Sequence, residues 1–398
     1  MTKQKKTRRV AESKFINFTP IDKAVEAAIY YGFTPTKHPK ANKEDLVRIS
    51  ALKESWAKSC AEMPWVFSTE FAEERAAFLR EYFEQSMNIL PQPVMLVYES
   101  ETGKERGKNS FNLEVVGTPK SIAEALLIKT AVAILEDNGY KNLSIEINSI
   151  GDKESLNKFA RELTNYYKKN INELSPHCRQ NFKKDAFYVL NCDKCECTKL
   201  KEGAPTSVGC LSDESRVQFK EVFEYIETMG IPFKINNCLV PDRKYCSQTI
   251  FEIKDNESED ALAIGFRYDG LAQKIGHKKD LPGVGLKVFL KKKSTIKKVS
   301  KLNKPTAFYV QLGDDAKHKS LEVIEALRKE KIFIYHMLGR DKFGSQFALV
   351  EKSKVPYVII MGKKESLENS VMIRENATRT QETIKISDLA KYLKKLKA

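Results

Sequence analysis

The last quarter of the chain alternates between strand-like and helix-like stretches, and this alternation limits the folds that it can adopt. The apolar runs AFYVQL, IFIYHML, YVIIMG and VMIREN occur among the amphipathic stretches KHKSLEVIEALRKE, FGSQFALVEKS and ISDLAKYLKKL. Such a pattern predicts a compact α/β domain in which helices cover one sheet. The lysine-rich run upstream predicts a linker over 291–304 and a separate domain over 305–398.

A short series of residues near the end of the chain is more specific than the alternation. These residues occur in order within the final predicted hairpin and helix: Gly362, Glu365, Val371, Arg374 and Gln381-Glu382-Thr383. The region over 305–396 resembles the anticodon-binding domain shared by histidyl-, prolyl-, threonyl- and glycyl-tRNA synthetases. The resemblance implies a sheet edge that presents polar and basic groups to unstacked RNA bases. Arg374 and Arg379 are therefore RNA-binding candidates, and the alternative is that both are solvated charges at a strand edge.

The region over 15–290 carries four stretches that resemble motifs of histidyl-tRNA synthetases: IYYGFTPTKHP, NCLVPDRKYCSQTIFE, GFRYDGL and GVGLKVFL. The resemblance implies an α+β class II synthetase-like core, an antiparallel sheet flanked by helices, with a helical insertion over about 153–225. The first stretch places Pro39 at the position of the proline in the first class II motif. Because this element forms the dimer interface in the family, the resemblance implies a homodimer.

The departures from the family pattern fall where the chemistry of amino-acid activation requires positive charge. Fixed arginines stabilise the triphosphate and the charge that develops on phosphoryl transfer. In this chain Leu96, Pro241 and Val288 occupy the positions of three family arginines. Four cations close to these positions are candidate phosphate contacts, although a lysine cannot form the bidentate fork of an arginine. They are Lys104, Arg106, Arg243 and Lys287.

The amino-acid pocket that the resemblance implies is half retained. Glu114 matches the acidic residue that meets the ammonium of the amino acid in the family, and Tyr268 matches the tyrosine of the family's GGRYDGL pattern. Ser110 and Cys246 stand where the family has a glutamine and a second tyrosine. Glu114 and Tyr268 are the pocket candidates, and the alternative is that both are ordinary residues of the sheet.

Four cysteines, Cys192, Cys195, Cys197 and Cys210, lie within nineteen residues of the predicted insertion. A CxxC pair can supply two corners of a tetrahedral zinc site, and Cys210 could supply another. Free thiols in the insertion are the alternative. His318 and His336 are predicted to be surface or packing residues rather than metal ligands.

The chain has a formal net charge of +15, which favours an anionic partner such as RNA. High lysine usage throughout the organism's proteins is the alternative explanation. The basic tail over 1–14 lacks the apolar segment of a secretory signal, and no apolar run reaches about 20 residues. We therefore expect a cytoplasmic protein without a membrane partner.

Three functions are compatible with these observations. The first is a synthetase-like protein that lacks aminoacylation and binds tRNA or a tRNA-like RNA as a homodimer. The second is an active, divergent histidine–tRNA ligase, which would use ATP and Mg²⁺. The third is a regulatory subunit of histidine biosynthesis, a class that usually lacks the C-terminal domain. The missing arginines, set against a complete C-terminal region, favour the first.

Overall fold

The computed structural model describes residues 23–52, 69–100, 108–192, 197–240, 243–257, 261–291 and 305–396. Several sequence predictions lie outside these residues: the basic tail over 1–14, Lys104, Arg106, Cys195, Pro241 and almost all of the lysine-rich linker. No helix within the described ranges is long and apolar enough to cross a membrane.

A mixed sheet of eight strands forms the centre of the larger part of the molecule. Its spatial order is β1-β2-β3-β8-β7-β6-β4-β5, with antiparallel pairing except at the two edges, where β1 runs parallel to β2 and β5 parallel to β4. The strands are β1 (Thr34–Pro35), β2 (Val94–Glu99), β3 (Lys108–Val116), β4 (Leu143–Ser149), β5 (Phe233–Ile235), β6 (Ser247–Asp255), β7 (Ala261–Arg267) and β8 (Gly283–Lys291). The predicted antiparallel α+β core is confirmed.

Helix α4 (Ile122–Asp137) covers one face of this sheet together with α1 (Lys23–Tyr30) and α9 (Asp213–Met229). Almost every residue of α4 is buried, including Leu127, Ala131 and Ile134. A helix that is apolar on all sides is stable only when other elements surround it. The core on this face of the sheet therefore lies around α4.

Helices α2 (Lys43–Leu52), α3 (Thr69–Glu84) and α10 (Leu271–Lys274) pack on the opposite face of the sheet. Between β4 and α9 the described residues form four further α-helices, α5 (Lys153–Lys169), α6 (Pro176–Phe182), α7 (Ala186–Asn191) and α8 (Thr198–Glu202). These helices surround a separate apolar cluster that includes Phe159, Leu163 and Tyr167. The three side chains recur every four residues along α5 and so share one face of that helix.

The C-terminal region forms a second sheet of five strands, in the order β10-β9-β11-β12-β13. The strands are β9 (Ala307–Gln311), β10 (Ile334–His336), β11 (Tyr357–Met361), β12 (Ser370–Glu375) and β13 (Gln381–Lys385). The helices are α11 (Asp314–Lys329), α12 (Phe343–Ser353), α13 (Lys363–Leu367) and α14 (Ile386–Lys395). The small α/β domain predicted from the alternation is confirmed, and β13 is its exposed edge strand.

Ion pairs and buried polar contacts join the two sheets through α11. Tyr31 donates a hydrogen bond to Glu325, and Arg328 bridges Glu325 and Asp137 at 2.7 Å from each. His336 is buried at this seam, and its ring lies close to Gly32. Burial lowers the pKa of His336 to about 4, because a charged imidazole would lose its hydration there. His336 is therefore a packing residue, as the sequence predicts.

Candidate amino-acid site

The candidate pocket residues lie on the face of the large sheet that α3 covers. Glu114 on β3 pairs directly with Leu96 on β2 and with Gly285 on β8. Residues paired across neighbouring strands point to the same face, so Leu96 lies beside the Glu114 side chain. Tyr268 follows β7 immediately, and its hydroxyl donates a hydrogen bond of 2.7 Å to the Glu114 carboxylate. The structure therefore brings the two predicted pocket residues into direct contact.

The Glu114 carboxylate is completely buried in the described structure. The Tyr98 hydroxyl lies 3.5 Å from its Oε1 atom, and the Arg75 guanidinium lies 3.7 Å from the same atom. Burial raises the pKa of the Glu114 carboxyl above its ordinary value, and the charge of Arg75 and the hydrogen bond from Tyr268 oppose that rise. A carboxylate in this position attracts a cation strongly because little water screens it.

Arg75 is the main site residue that the sequence reasoning missed. Its side chain is 1% exposed, and its guanidinium lies 4.2 Å from the ring centre of Phe266 and 5.4 Å from that of Tyr268. The signal was present in the helical pattern of α3. Phe71 and Leu79 lie four residues before and after Arg75 on the apolar face of that helix. An arginine in the middle of such a face must find a buried partner.

Gly285 is necessary for the close packing of this site. A Cβ atom added at Gly285 would overlap the Glu114 carboxylate and lie 2.7 Å from Nη2 of Arg75. The backbone of β8 therefore forms the floor beneath the carboxylate and the guanidinium. Any larger residue would displace one of the two charged groups.

A second buried ion pair lies on the same face of the sheet. Nζ of Lys287 lies 2.9 Å from Oε2 of Glu74, and the Asn112 side-chain amide donates a hydrogen bond of 3.3 Å to the same oxygen. Ser100 also donates a hydrogen bond to Glu74, and His38 lies 3.7 Å from it. Lys287, a predicted phosphate contact, is thus 2% exposed and paired with a carboxylate.

The other residues predicted to lie near the reacting groups are found in different parts of the structure. Val288 is buried on the opposite face of the sheet, in the cluster around α4, so its side chain points away from Glu114. Arg243 pairs with Asp185 and stacks on Phe187 at 3.8 Å, within the helical insertion. Pro241, Lys104 and Arg106 lie outside the described residues. Of the predicted phosphate contacts that the structure describes, Lys287 lies beside the pocket and Arg243 lies against the helical insertion.

Arg267, which lies in the GFRYDGL stretch, has a structural role. It forms two hydrogen bonds with Glu124 on α4, at 2.7 and 2.6 Å, and both side chains are completely buried. Asp269 accepts a hydrogen bond of 2.8 Å from the backbone N–H of Gly283. These contacts attach β7 to α4 and to the start of β8, and thereby position Tyr268.

The described cysteines do not form a metal site. No group of three or more histidine, cysteine, aspartate or glutamate side chains able to hold a metal occurs in the described residues, and Cys195 lies outside them. Cys197 accepts a hydrogen bond from the Ser175 backbone, whereas Cys210 donates one of 3.2 Å to Glu162. Burial and this carboxylate raise the pKa of Cys210 to about 11. Zinc binds the thiolate, which this environment disfavours, so the zinc prediction has no support.

The two RNA-binding candidates lie on the hairpin at the exposed edge of the second sheet. Arg374 on β12 is half-buried, and its guanidinium lies 5.7 Å from the ring centre of Phe347 on α12. Phe343 is 48% exposed and lies 4.4 Å from Phe347, ring centre to ring centre. Arg379 is exposed in the turn between β12 and β13. An arginine beside aromatic rings can contact both phosphates and bases.

Comparisons with known proteins agree with this architecture. A family model described as an anticodon binding domain matches residues 306–396. The histidine–tRNA ligase of Bacillus licheniformis is 28% identical over 340 residues, which cover 81% of this chain and 80% of that protein. That of Rippkaea orientalis is 27% identical over 317 residues, covering 77% and 73%. The apo histidyl-tRNA synthetase of S. aureus superposes with a TM-score of 0.50 at 22% identity, over 93% of each chain.

The chain is therefore similar to histidyl-tRNA synthetases over about four-fifths of its length. It therefore combines a class II synthetase core with a C-terminal anticodon-binding domain. In a histidyl-tRNA synthetase-like core, Leu96 places an apolar side chain next to Glu114, where an arginine would reach the pocket. The loss of the motif arginines stays a prediction, because it depends on how the motifs are aligned.

Members of the histidyl-tRNA synthetase family use ATP and Mg²⁺. Within the described part of the chain, the two cations next to the pocket already face carboxylates, Arg75 facing Glu114 and Lys287 facing Glu74. These two cations are therefore matched by carboxylates of the chain and do not fit the charge of a triphosphate.

Proposed function

We propose that this chain binds tRNA, or an RNA folded like tRNA, as a homodimer, and that its core does not activate histidine. The observation that carries the proposal is the contrast between the two sites of the chain. The C-terminal domain has Arg374 and Arg379 on its hairpin and the aromatic pair Phe343 and Phe347 on α12. The core has Leu96 beside Glu114, and both described cations there are already paired.

RNA binding also fits the charge of the chain. A net charge of +15 favours association with phosphates, but this term does not depend on sequence or shape. Recognition of a folded RNA requires further contacts, and unstacked loop bases are usually bound by aromatic rings and arginines. The exposed Phe343 ring and the nearby Arg374 guanidinium offer such contacts.

The RNA arm of the proposal is tested by fluorescence anisotropy with a tRNA transcript and with an unstructured RNA of equal length, at fixed salt. We expect tighter binding of the tRNA. Arg374→Ala should weaken it about tenfold, the loss expected for one arginine contact. The matched control is Arg161→Ala, which removes an exposed arginine from α5 in the other part of the molecule. Equal binding of the two RNAs would contradict the proposal.

A second candidate function is favoured by the Glu114–Tyr268 contact, which the family pattern associates with the amino-acid pocket. In this alternative the chain is an active, divergent histidine–tRNA ligase that uses ATP and Mg²⁺, with Lys104 or Arg106 replacing a missing arginine. No comparable observation favours the regulatory role in histidine biosynthesis, and the C-terminal domain counts against that role.

Histidine-dependent ATP–pyrophosphate exchange separates the two candidates. We expect no exchange above background at high protein concentration. Exchange that disappears in Glu114→Ala would establish the active ligase and remove the core half of the proposal. Sedimentation equilibrium of the full chain tests the homodimer independently, and a monomer at micromolar concentration would contradict that part.

A further inference from the structure

Arg75 has unusual surroundings for a buried arginine. Its Nε and Nη2 atoms have no hydrogen-bond partner in the part of the chain that the structure describes, although both are inaccessible to solvent. Among the described residues its ion-pair partner is Glu114, whose nearest oxygen is 3.7 Å from Nε. Most buried polar atoms in proteins have a hydrogen-bond partner, so this guanidinium is not held as a structural arginine usually is. In contrast, the fully buried Arg267 forms a two-point hydrogen-bonded pair with Glu124.

The groups around Arg75 are those with which proteins recognise organic cations. Three aromatic ring centres, those of Phe266, Tyr268 and Phe71, lie between 4.2 and 5.6 Å from the guanidinium carbon. A carboxylate and several aromatic faces together attract a cation that keeps few hydrogen bonds. The guanidinium is held mainly by charge and by the faces of these rings.

The floor and the walls of this pocket fit a flat cation. Gly285 has no side chain, which leaves the space above β8 to the carboxylate and the guanidinium. The Tyr268 hydroxyl approaches one oxygen of Glu114 and the Tyr98 hydroxyl the other, so the two tyrosines orient the carboxylate. The shape of the pocket is therefore set by groups other than Arg75.

We propose that the pocket around Glu114 is an organic-cation site, which the chain fills with its own Arg75 side chain. Arg75 is then the residue that decides which ligand the pocket accepts. A free amino acid would have to bring its ammonium to the same carboxylate, and two cations cannot share one small buried site without strong repulsion. This inference does not depend on RNA binding.

The test uses Arg75→Ala in the full chain and millimolar guanidinium chloride as the probe. Removal of the side chain leaves a guanidinium-sized space beside a buried carboxylate. We expect guanidinium to raise the midpoint of thermal unfolding of this variant by several degrees, in a saturable manner, because a ligand that binds only the folded state stabilises it. Sodium chloride at equal concentration should have no such effect. Millimolar guanidinium is far below the concentrations that denature proteins.

Two matched variants define the specificity of the effect. Arg80→Ala removes an arginine of the same helix that pairs with Asp45 and Glu84 outside the pocket, so guanidinium should not stabilise it. Arg75→Met keeps an unbranched side chain in the pocket and should show no saturable rise either. Glu114→Gln combined with Arg75→Ala should abolish the rise, since the counter-charge is then absent.

The outcomes that overturn the proposal are equally specific. If Arg75→Ala does not fold alone, refolding with guanidinium but not with sodium chloride supports the proposal, and failure to refold in either overturns it. An equal response of wild type and Arg75→Ala also overturns it. The proposal is also overturned if calorimetry shows that free histidine binds the wild-type chain and that Glu114→Gln abolishes this binding. RNA affinity is measured on the same samples, so a failure of tRNA binding is distinguished from a failure of the cation site.

Discussion

The pocket beneath α3 and the hairpin edge of the second sheet place their charged groups in opposite environments. Glu114 and Arg75 are completely or almost completely buried and face each other. Arg374 and Arg379 lie at or near the surface, and β13 beside them is an exposed edge strand. Buried charges must be matched within the protein, whereas exposed ones remain available to a partner. The difference indicates that mutations in the core should change stability, and mutations at the edge should change binding.

The largest effect is expected where a buried pair loses one partner. Arg267→Ala leaves the Glu124 carboxylate buried without its two hydrogen bonds, which should cost about 3 to 5 kcal/mol of unfolding free energy. Urea unfolding followed by circular dichroism measures this loss. The double variant Arg267→Met with Glu124→Leu should recover most of it, because it removes both charges. A loss below about 1 kcal/mol for the single variant would contradict the idea that each buried charge is stabilised by its partner.

The seam between the two sheets should respond to pH. The pKa of His336 is about 4 in the folded chain, below its ordinary value of 6.5. Protonation therefore favours the unfolded chain, and the stabilisation by neutral His336 is complete above about pH 6.5 and is lost as the pH falls towards 4. The difference in unfolding free energy between wild type and His336→Gln should decrease by at most about 3 kcal/mol over this range. A pH-independent difference would show that the imidazole is not buried.

Packing at the floor of the pocket should have a smaller effect. Gly285→Ala would push its methyl group against the Glu114 carboxylate and Arg75, at a cost of about 1 to 3 kcal/mol. Gly344→Ala is the control, because nothing lies near its added Cβ on α12. That change should be neutral or should stabilise the helix by up to about 1 kcal/mol. If both variants had equal stability, the pocket would have more room than its contacts indicate.

The smallest effect is expected at the exposed Phe343 ring of α12, and only on binding. Phe343→Ala should weaken tRNA binding by about 1 kcal/mol, the lower end of the range for one base stacked on an aromatic ring. Its unfolding free energy should change by less than about 0.5 kcal/mol, because the ring is 48% exposed. Phe343→Tyr should bind almost as well as wild type. An unchanged affinity in Phe343→Ala would restrict the RNA surface to the hairpin itself.

Much of the fold was predictable because periodicity along the chain reports local structure. The strand-like runs AFYVQL and YVIIMG are observed as β9 (Ala307–Gln311) and β11 (Tyr357–Met361), and the helix-like run ISDLAKYLKKL matches α14 (Ile386–Lys395). The order of the strands in the large sheet was not predictable. β8 lies between β3 and β7, and β4 lies between β6 and β5, through pairings between segments distant in sequence. Such pairings depend on tertiary packing rather than on local pattern.

The same limit applies to the candidate site. The sequence by itself determined the resemblance to histidyl-tRNA synthetases, the two-part architecture and the choice of Glu114 and Tyr268 as pocket candidates, because motifs preserve residue identity and order. Only the tertiary structure decided which charges meet. In the structure, Val288 lies on the far face of the sheet and Lys287 pairs with Glu74. Arg75, which lies on a separate helix, contacts Glu114. The physical reason is that a buried charge is matched through space, by residues that no local spacing connects.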